Sequence, residues 1–279
     1  MSPEPALKEI QAAIHGVFVE AMAEAPRILA VLKDVQSIAP KVDEALAGAA
    51  GSAPGPHIDK LSRKLRAQND AIVGRLDQGR LNVISLVKGA VASSGPQRRV
   101  IELLKEVVDT QPTLTSELKE QLADTVGGAT SLKTATEFSA TVGVLAAEVL
   151  FSAYLDSARA LLGEHSDLYL KATSAGSALF RNVGEAALDA ATLGLSTMAK
   201  GLREVVEGLR TSAMKELIEA VENSTGAEKL LALEAAFEEL DKQADLSLQV
   251  LALSETSIKE QIEQLDADVA ILDTLIHTS

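Results

Sequence analysis

The chain has 279 residues, of which 47% are apolar and 3% aromatic, and 26 basic against 40 acidic residues give a formal net charge of −14. That apolar content excludes wholesale disorder. Because the chain contains no Cys, its composition also excludes disulfides, thiolate nucleophiles and Cys-ligated metal centres. The excess of acids argues against nucleic acid as a partner, since phosphate backbones are bound by Lys and Arg.

The sequence pattern predicts an all-α fold. Helix-forming residues fill the chain, and its eight Pro residues all lie within the first 112 positions. No segment shows the alternation of period two, with β-branched and aromatic residues, that is typical of strands. We therefore expect an elongated bundle of long antiparallel helices with coiled-coil-like packing.

Residues 1–50 form the first predicted unit. Ser2 and Pro3 provide a helix cap and a Pro in the first turn. Pro26 and Pro40 interrupt the apolar stripe that follows, which predicts two or three short helices or one kinked helix. The segment Gly51 to Pro56 is the clearest linker in the chain. Residues 57–279 are then expected to form a long-helix bundle with a mid-chain apolar hairpin at about 137–200.

The spacing of apolar residues after the linker predicts a helix of about 35 residues, ended by Ser93-Ser94-Gly95-Pro96. Shorter helices are expected at roughly 97–109 and 114–126, the second capped by Thr113 or Thr115 and closed at Gly127-Gly128. Beyond them, interruptions at 162–167 and 223–226 predict three long helices. The last has an apolar stripe from Leu233 to Ile276, interrupted once at Glu255, and a predicted length of about 75 Å.

Charge is distributed unevenly between two of these helices. Residues 57–106 carry ten basic and five acidic residues, a net charge of +5, whereas residues 216–279 carry 15 acids and three Lys, a net charge of −12. Because opposite charges beside helix contacts select partners, we expect these two segments to be neighbours in the bundle.

The segment 129–201 has the most unusual composition, being rich in Ala, Gly, Ser and Thr. Its first apolar stretch supplies the candidate contacts with a membrane or a partner: Phe138, Val142, Leu145, Val149, Phe151 and Tyr154. Small residues permit close helix packing in water and in lipid alike. The composition therefore leaves two alternatives, a hairpin buried at the centre of the bundle or a hairpin that becomes exposed or inserted on assembly.

In the order and length of its elements, the chain resembles the α-helical pore-forming toxins of the cytolysin A and haemolysin BL type. Those proteins combine long bundle helices with a mid-chain apolar head. The resemblance implies a membrane-acting function for the hairpin 137–200. No residue motif carries it, so it assigns no functional residues.

No constellation typical of catalysis or metal binding emerges. None of the four His residues has a Glu three residues before it, and no H-E-x-x-H motif occurs. Glu164-His165-Ser166-Asp167 could gather carboxylates and an imidazole at a helix junction, but Ser and Asp after a Gly also fit helix capping. We predict no catalytic, cofactor-binding or metal-binding residues and no small-molecule substrate.

Two features bear on location. Glu4 and Glu9 lie where a secretory signal requires basic residues, which predicts no cleaved signal. Segments without a charged residue or His are at most 12 residues long, at 45–56, and the two within the predicted hairpin, at 138–147 and 190–199, have 10 residues each, so all are too short to cross a bilayer. We expect a cytoplasmic protein, or one secreted without a recognisable cleaved signal, whose membrane association is not constitutive.

The function that follows is that of a non-enzymatic helical bundle acting through contact with a protein partner or through self-association. The alternative is a membrane-acting component, similar to a pore-forming toxin, that uses the hairpin 137–200.

Overall fold

The computed structural model describes residues 3–52, 55–111, 114–165, 167–174 and 214–278. The helices are α1 (Pro3–Ser52), α2 (Pro56–Thr110), α3 (Ser116–Leu162), α4 (Met214–Asn223) and α5 (Gly226–Thr278). Residues 168–174 are helical as well. The described part of the chain contains no strand and its helices pack against one another, so the predicted all-α helical bundle is confirmed.

The four long helices form the bundle, and α4 packs on α3 and α5. Helices α1 and α2 are antiparallel. Ser62 donates a hydrogen bond to the Leu46 carbonyl at 2.6 Å, and further along α2 the Asn69 amide donates to the carbonyl of Ala39, which lies earlier in α1. Helices α3 and α5 are antiparallel by the same criterion. Gly128 of α3 lies beside Asp268, whereas Tyr154 of α3 packs on Phe237.

The contact between α2 and α5 is parallel. Lys64 contacts Glu234 near the start of both helices, and Arg99 contacts Asp273 near their ends. Successive long helices along the chain do alternate in direction, so the second and the fourth point the same way. The apolar periodicity specifies that helices pack, but it does not specify which helices are neighbours.

The bundle contains two apolar clusters, one toward each end. The larger cluster combines the C-terminal halves of α1 and α3 with the N-terminal halves of α2 and α5, together with α4. The smaller cluster combines Ile10 of α1 with the C-terminal parts of α2 and α5 and the N-terminal part of α3. Each long helix contributes to both, which is how helices of 47 to 55 residues bury an apolar stripe along their length.

Polar side chains lie between the two clusters on α2 and α3, whereas Ile262 of α5 packs against both clusters. Ser93 and Gln97 of α2 and Thr136 and Ser139 of α3 are each at most 1% exposed, and along their helices they lie between the members of the two clusters. The hydroxyls of Ser93 and Thr136 each donate to a carbonyl of their own helix at 2.7 Å. Among the described residues, Gln97 Nε2 and Ser139 Oγ have no hydrogen-bond partner. These four residues are called the polar mid-section below.

The predicted end of a helix at Ser93 to Pro96 is wrong, because α2 continues through Pro96 to Thr110. A Pro inside a helix leaves the carbonyl four residues earlier without its backbone donor. Here that residue is Ala92, which is exposed, so water can reach the carbonyl. Val100 and Leu103 are fully buried in the smaller cluster, and their packing maintains the helix past the Pro.

The predicted helix end at Gly127-Gly128 is also wrong, since α3 runs through both residues. Apolar and small residues at helical spacing on either side, Leu122, Ala129 and Leu132, are buried in the smaller cluster. An added Cβ at Gly128 would lie 3.2 Å from an Asp268 oxygen, so Gly here permits close approach of α5. Burial of the stripe outweighs the helix-breaking preference of the pair.

Residues 3–52 form a single helix rather than two or three short ones. Pro40 lies inside it at an exposed position, and the carbonyl that lacks its donor belongs to Gln36, which is exposed as well. The C-terminal half of α1, from Leu32 to Leu46, is buried in the same apolar cluster as α2 and α3.

Two predicted helix ends are confirmed. Thr115 caps α3, its side chain accepting a hydrogen bond from the Leu118 amide at 3.2 Å. Gly163 ends α3 in the left-handed conformation with φ of 77°, and the Glu164 amide donates to the Arg159 carbonyl at 2.8 Å, which is a Schellman motif.

Candidate functional site

The C-terminal half of α3 is enclosed on all sides. Every residue from Ala146 to Ala158 is buried, so over about 3.6 turns no face of this helix reaches solvent. Helices α1, α2, α4 and α5 all contact α3. The many Ala and Ser residues of this stretch let these neighbours approach closely. The stretch from Ala146 to Ala158 of the predicted apolar hairpin is thus part of the core.

Three of the predicted contact residues, Val149, Phe151 and Tyr154, are 5%, 0% and 0% exposed and belong to the larger apolar cluster. Tyr154 donates a hydrogen bond to Asn69 Oδ1 at 2.8 Å, and its ring stacks on Phe237 with centroids 6.3 Å apart. Burial of the phenol, with a smaller contribution from the charge of Asp70, raises the pKa of Tyr154 well above its ordinary value.

The other three predicted contact residues are Phe138, Val142 and Leu145. Their backbone belongs to α3, but their side chains lie outside the described residues. The second half of the hairpin, from residue 175 to 200, lies outside the described residues too.

Acidic and polar groups line one face of this enclosed stretch. Glu148, Ser152 and Asp156 are spaced by four residues and are 3–6% exposed. Asp156 Oδ2 accepts a hydrogen bond of 2.7 Å from the amide of Tyr169, at the start of the helical segment 168–174. This contact fixes the chain that follows the Gly163 turn against the end of α3.

The Gly163 turn contains His165, which the sequence suggested could gather with the carboxylates of Glu164 and Asp167, and which contacts a carboxylate of α4 instead. His165 Nδ1 lies 3.0 Å from Glu222 Oε1 of α4, with 83% of the His side chain exposed. Within the described ranges, no three side chains of the types that bind metals converge on one point. The pair is a surface contact between the turn and α4.

Charged residues join α2 to α5 along their whole length. Lys64 lies 2.6 Å from Glu234 and 2.9 Å from Glu238, and Arg75 lies 3.1 Å from Asp241 and 2.8 Å from Asp245. The predicted proximity of the basic and acidic segments is therefore confirmed.

Two further contacts extend this series to the ends of the helices. Arg99 lies 2.8 Å from Asp273 and His277 Nε2 lies 3.3 Å from Glu106. Hydrogen bonding to Lys64 lowers the pKa of Glu238. The backbone carbonyl of Asp273, followed by the charge of Glu106, raises the pKa of His277.

The outer face of α5 presents four large apolar side chains to solvent. Leu231, Leu246, Leu253 and Ile271 are 56%, 42%, 56% and 50% exposed. At 3.6 residues per turn they fall within an arc of about 60°. We call this exposed face, from Leu231 to Ile271, the outer stripe of α5.

Sequence reasoning missed the outer stripe because it assigned a single apolar stripe to α5, the one that begins at Leu233 and faces the core. The second stripe had one signal in the sequence, since Leu231 and Leu253 are separated by 22 residues, or two steps of 11, with Lys242 at the step between them. Eleven residues make slightly more than three full turns of a straight helix, so residues with this spacing stay close to one face.

None of the helices within the described ranges combines the length and the apolar character that a bilayer crossing requires. No protein-family model, no curated protein and no solved structure matched this chain when it was compared with them.

Proposed function

We propose that this protein acts without catalysis, as an elongated helical bundle that works through protein–protein contact or self-assembly. The outer stripe of α5 is the observation that carries the proposal. Its four large apolar side chains are 42–56% exposed, although the same helix fills the core with a complete inward stripe. Exposed apolar side chains aligned along one helix are typical of a surface that a partner covers.

The charge distribution supports a protein rather than a nucleic acid as partner. Lys64, Arg75 and Arg99 of the basic helix α2 bind carboxylates of α5. These cations are therefore engaged within the bundle, and the chain as a whole carries a net charge of −14. A polyanion would meet net repulsion at such a surface.

Flotation with lipid vesicles tests this proposal against membrane action. Purified protein is mixed with vesicles of phosphatidylcholine alone or with phosphatidylserine, at about pH 7.5 and about pH 4.5, where carboxylates begin to neutralise. We expect the protein to stay in the dense fraction under all four conditions. Flotation of folded protein with either vesicle would contradict the proposal, whatever its oligomeric state.

One observation favours membrane action as a second candidate function. The stretch from Ala146 to Ala158 is buried on every face, and a helix that is largely apolar all round suits either a protein core or a bilayer. In this alternative, the stretch with Val149, Phe151 and Tyr154 leaves the bundle when the protein acts, in the manner of a pore-forming toxin. Glu148 and Asp156 oppose insertion while they are charged.

A fluorescent label decides the second candidate. Ala153 is fully buried, so a dye there would disturb the core; Glu164 in the Gly163 turn is exposed and suits the purpose. Because the chain contains no Cys, Glu164→Cys gives a unique site, and Lys119→Cys at the opposite end of α3 is the matched control. Membrane action predicts a blue shift with vesicles at the first site only. No shift at either site removes this candidate.

A further inference from the structure

The outer stripe of α5 has an internal symmetry that indicates its partner. Leu231 and Ile271 lie 20 residues on either side of position 251, and Lys242 and Glu260 lie nine residues on either side. Ala235 and Ala267 are equidistant from it as well, and all six residues are exposed. These three pairs of equidistant positions match two apolar residues, two opposite charges and two Ala, which fits a two-fold interface, in which each copy offers the same patch.

We infer that the outer stripe of α5 binds the outer stripe of a second copy of this chain, with the two helices antiparallel and crossing at the level of residue 251. The inference rests on the proposed function, because it names the partner of that surface. In this register each residue meets the one at the same distance on the other side of 251. Leu231 then contacts Ile271 of the second copy, and Ala235 contacts Ala267.

Charge is complementary in this register and not in the alternative. Lys242 lies opposite Glu260 of the second copy, and the contact occurs twice because of the two-fold axis. A parallel pairing would place Lys242 against Lys242 and Glu260 against Glu260. Two attractive pairs in one orientation and two repulsive pairs in the other select the antiparallel dimer.

The central part of the outer stripe has the spacing of an antiparallel helix pair. Positions 242, 246, 249, 253, 256 and 260 alternate steps of four and three residues, which is the spacing of positions in a two-helix contact, and two of them, Leu246 and Leu253, are apolar. The antiparallel register pairs Leu246 with Thr256 and Gln249 with Leu253. Each of these pairs joins an apolar with an uncharged polar side chain, so no charge is buried at the centre.

The size of the surface sets the expected strength. From Leu231 to Ile271 the stripe is about 60 Å long and a helix is about 10 Å wide, which gives roughly 600 Å² for each copy. A total near 1,200 Å² is at the lower limit of stable interfaces. Acidic residues beside the stripe, such as Glu239 and Glu263, face each other across the axis and weaken the contact. We expect a dissociation constant in the micromolar range that falls as added salt screens this repulsion.

Sedimentation equilibrium of the full chain, up to about 100 µM, measures the dimer. Leu246→Glu with Leu253→Glu should leave only monomer. Leu81→Glu with Val108→Glu is the matched control, because both residues lie on α2, are 46% and 47% exposed, and give the same change in charge. Circular dichroism checks that each variant stays folded. A wild-type chain that is monomeric throughout, or a control that loses the dimer equally, overturns the inference.

A charge exchange tests the register itself. Lys242→Glu should weaken the dimer by roughly tenfold, since it turns two attractive pairs into repulsive ones. Adding Glu260→Lys to the same chain should restore the wild-type affinity. If the double variant does not regain the wild-type affinity, the antiparallel register is wrong. If neither change alters the affinity of the dimer, the outer stripe is not the dimer interface. A negative result here, with no flotation on vesicles, leaves the proposed function standing with a different protein as partner.

Discussion

The buried hydroxyl of Tyr154 shows how this core accommodates polar groups. It donates to Asn69 Oδ1, and Asn69 is itself 2% exposed and lies 3.5 Å from the Ala39 carbonyl of α1. One hydrogen-bond chain therefore joins α3, α2 and α1. Because a polar group buried without a partner costs free energy, this chain constrains the relative position of three helices.

Tyr154→Phe removes the donor and leaves Asn69 Oδ1 buried without it. We expect the free energy of unfolding to fall by about 1–2 kcal/mol. Urea denaturation measures the change, with an unchanged m-value showing that the fold is retained. In the double variant with Asn69→Leu, part of the loss should return, because neither polar partner is then left buried. Equal stability of Tyr154→Phe and the wild type would show that the bond contributes nothing.

Two helical Gly residues offer a matched comparison. An added Cβ at Gly143 of α3 would lie 2.7 Å from Leu86 and 2.9 Å from Leu251, whereas at Gly74 of α2 no atom lies within 4 Å. Gly74→Ala should raise the free energy of unfolding by about 0.5–1 kcal/mol through helix propensity. Gly143→Ala should lower it by about 1 kcal/mol, because both Leu side chains are packed and must move. Thermal denaturation with equal gains for both variants would refute the close approach.

At the scale of the helices, local signals correctly predicted the helix ends at which no buried apolar stripe continues past the cap. Thr115 and Gly163 are such ends, and both are confirmed. Gly127 and Pro96 carry equally strong local signals but lie inside α3 and α2. There the apolar stripe continues in register on both sides, and its burial decides the outcome. A local sequence signal can predict a helix cap, but it cannot predict how much free energy is gained when the helix packs on distant parts of the chain.

The same contrast between local signals and distant contacts explains which parts of the candidate site the sequence predicted. The sequence identified the apolar residues of α3, but whether Val149 and Tyr154 face a partner or the core depends on helices far away in the chain. The outer stripe of α5 was missed for the opposite reason. Leu246 and Leu253 look like ordinary members of an apolar helix until the inward stripe is assigned. The charge asymmetry, in contrast, predicted the contact between α2 and α5. The opposite net charges of the two helices can be counted in the sequence without knowing which residues form ion pairs.

The stability that the contact between α2 and α5 contributes should decrease when the pH rises through the pKa of His277 and when it falls through the pKa of Glu238. His277 has a raised pKa, so its contribution to stability is complete below its ordinary value of about 6.5 and is lost as pH rises through the raised value. Glu238 has a lowered pKa, so its contribution is present above its ordinary value and is lost as pH falls through the lowered one. Stability measured against pH should show the first loss in the wild type and not in His277→Gln. An unchanged profile in that variant would contradict the assignment.

At the scale of the whole molecule, the length of the helices determines the shape. Helix α5 has 53 residues and spans about 80 Å. A compact protein of this length would have a radius of gyration of about 19 Å. Since the four long helices pass through both apolar clusters side by side, the molecule is elongated along one axis.

Small-angle scattering of the monomeric variant with Leu246→Glu and Leu253→Glu should give a radius of gyration of about 25 Å or more, as expected for a rod about 80 Å long. The variant avoids any contribution from a dimer. A value close to the compact one would contradict side-by-side packing of the full-length helices.

The polar mid-section has a consequence for how the native state fluctuates. Ser93, Gln97, Thr136 and Ser139 lie between the two apolar clusters on α2 and α3, and Ile262 of α5 packs against both clusters. We expect this junction to be weaker than either cluster, so that one end of the bundle can open while the other stays folded. Native-state hydrogen exchange should then give two groups of backbone amides in α2, before Leu86 and after Val100, with different free energies of opening. Gln97→Leu with Ser139→Ala should merge the groups, because an apolar junction makes the two ends open together.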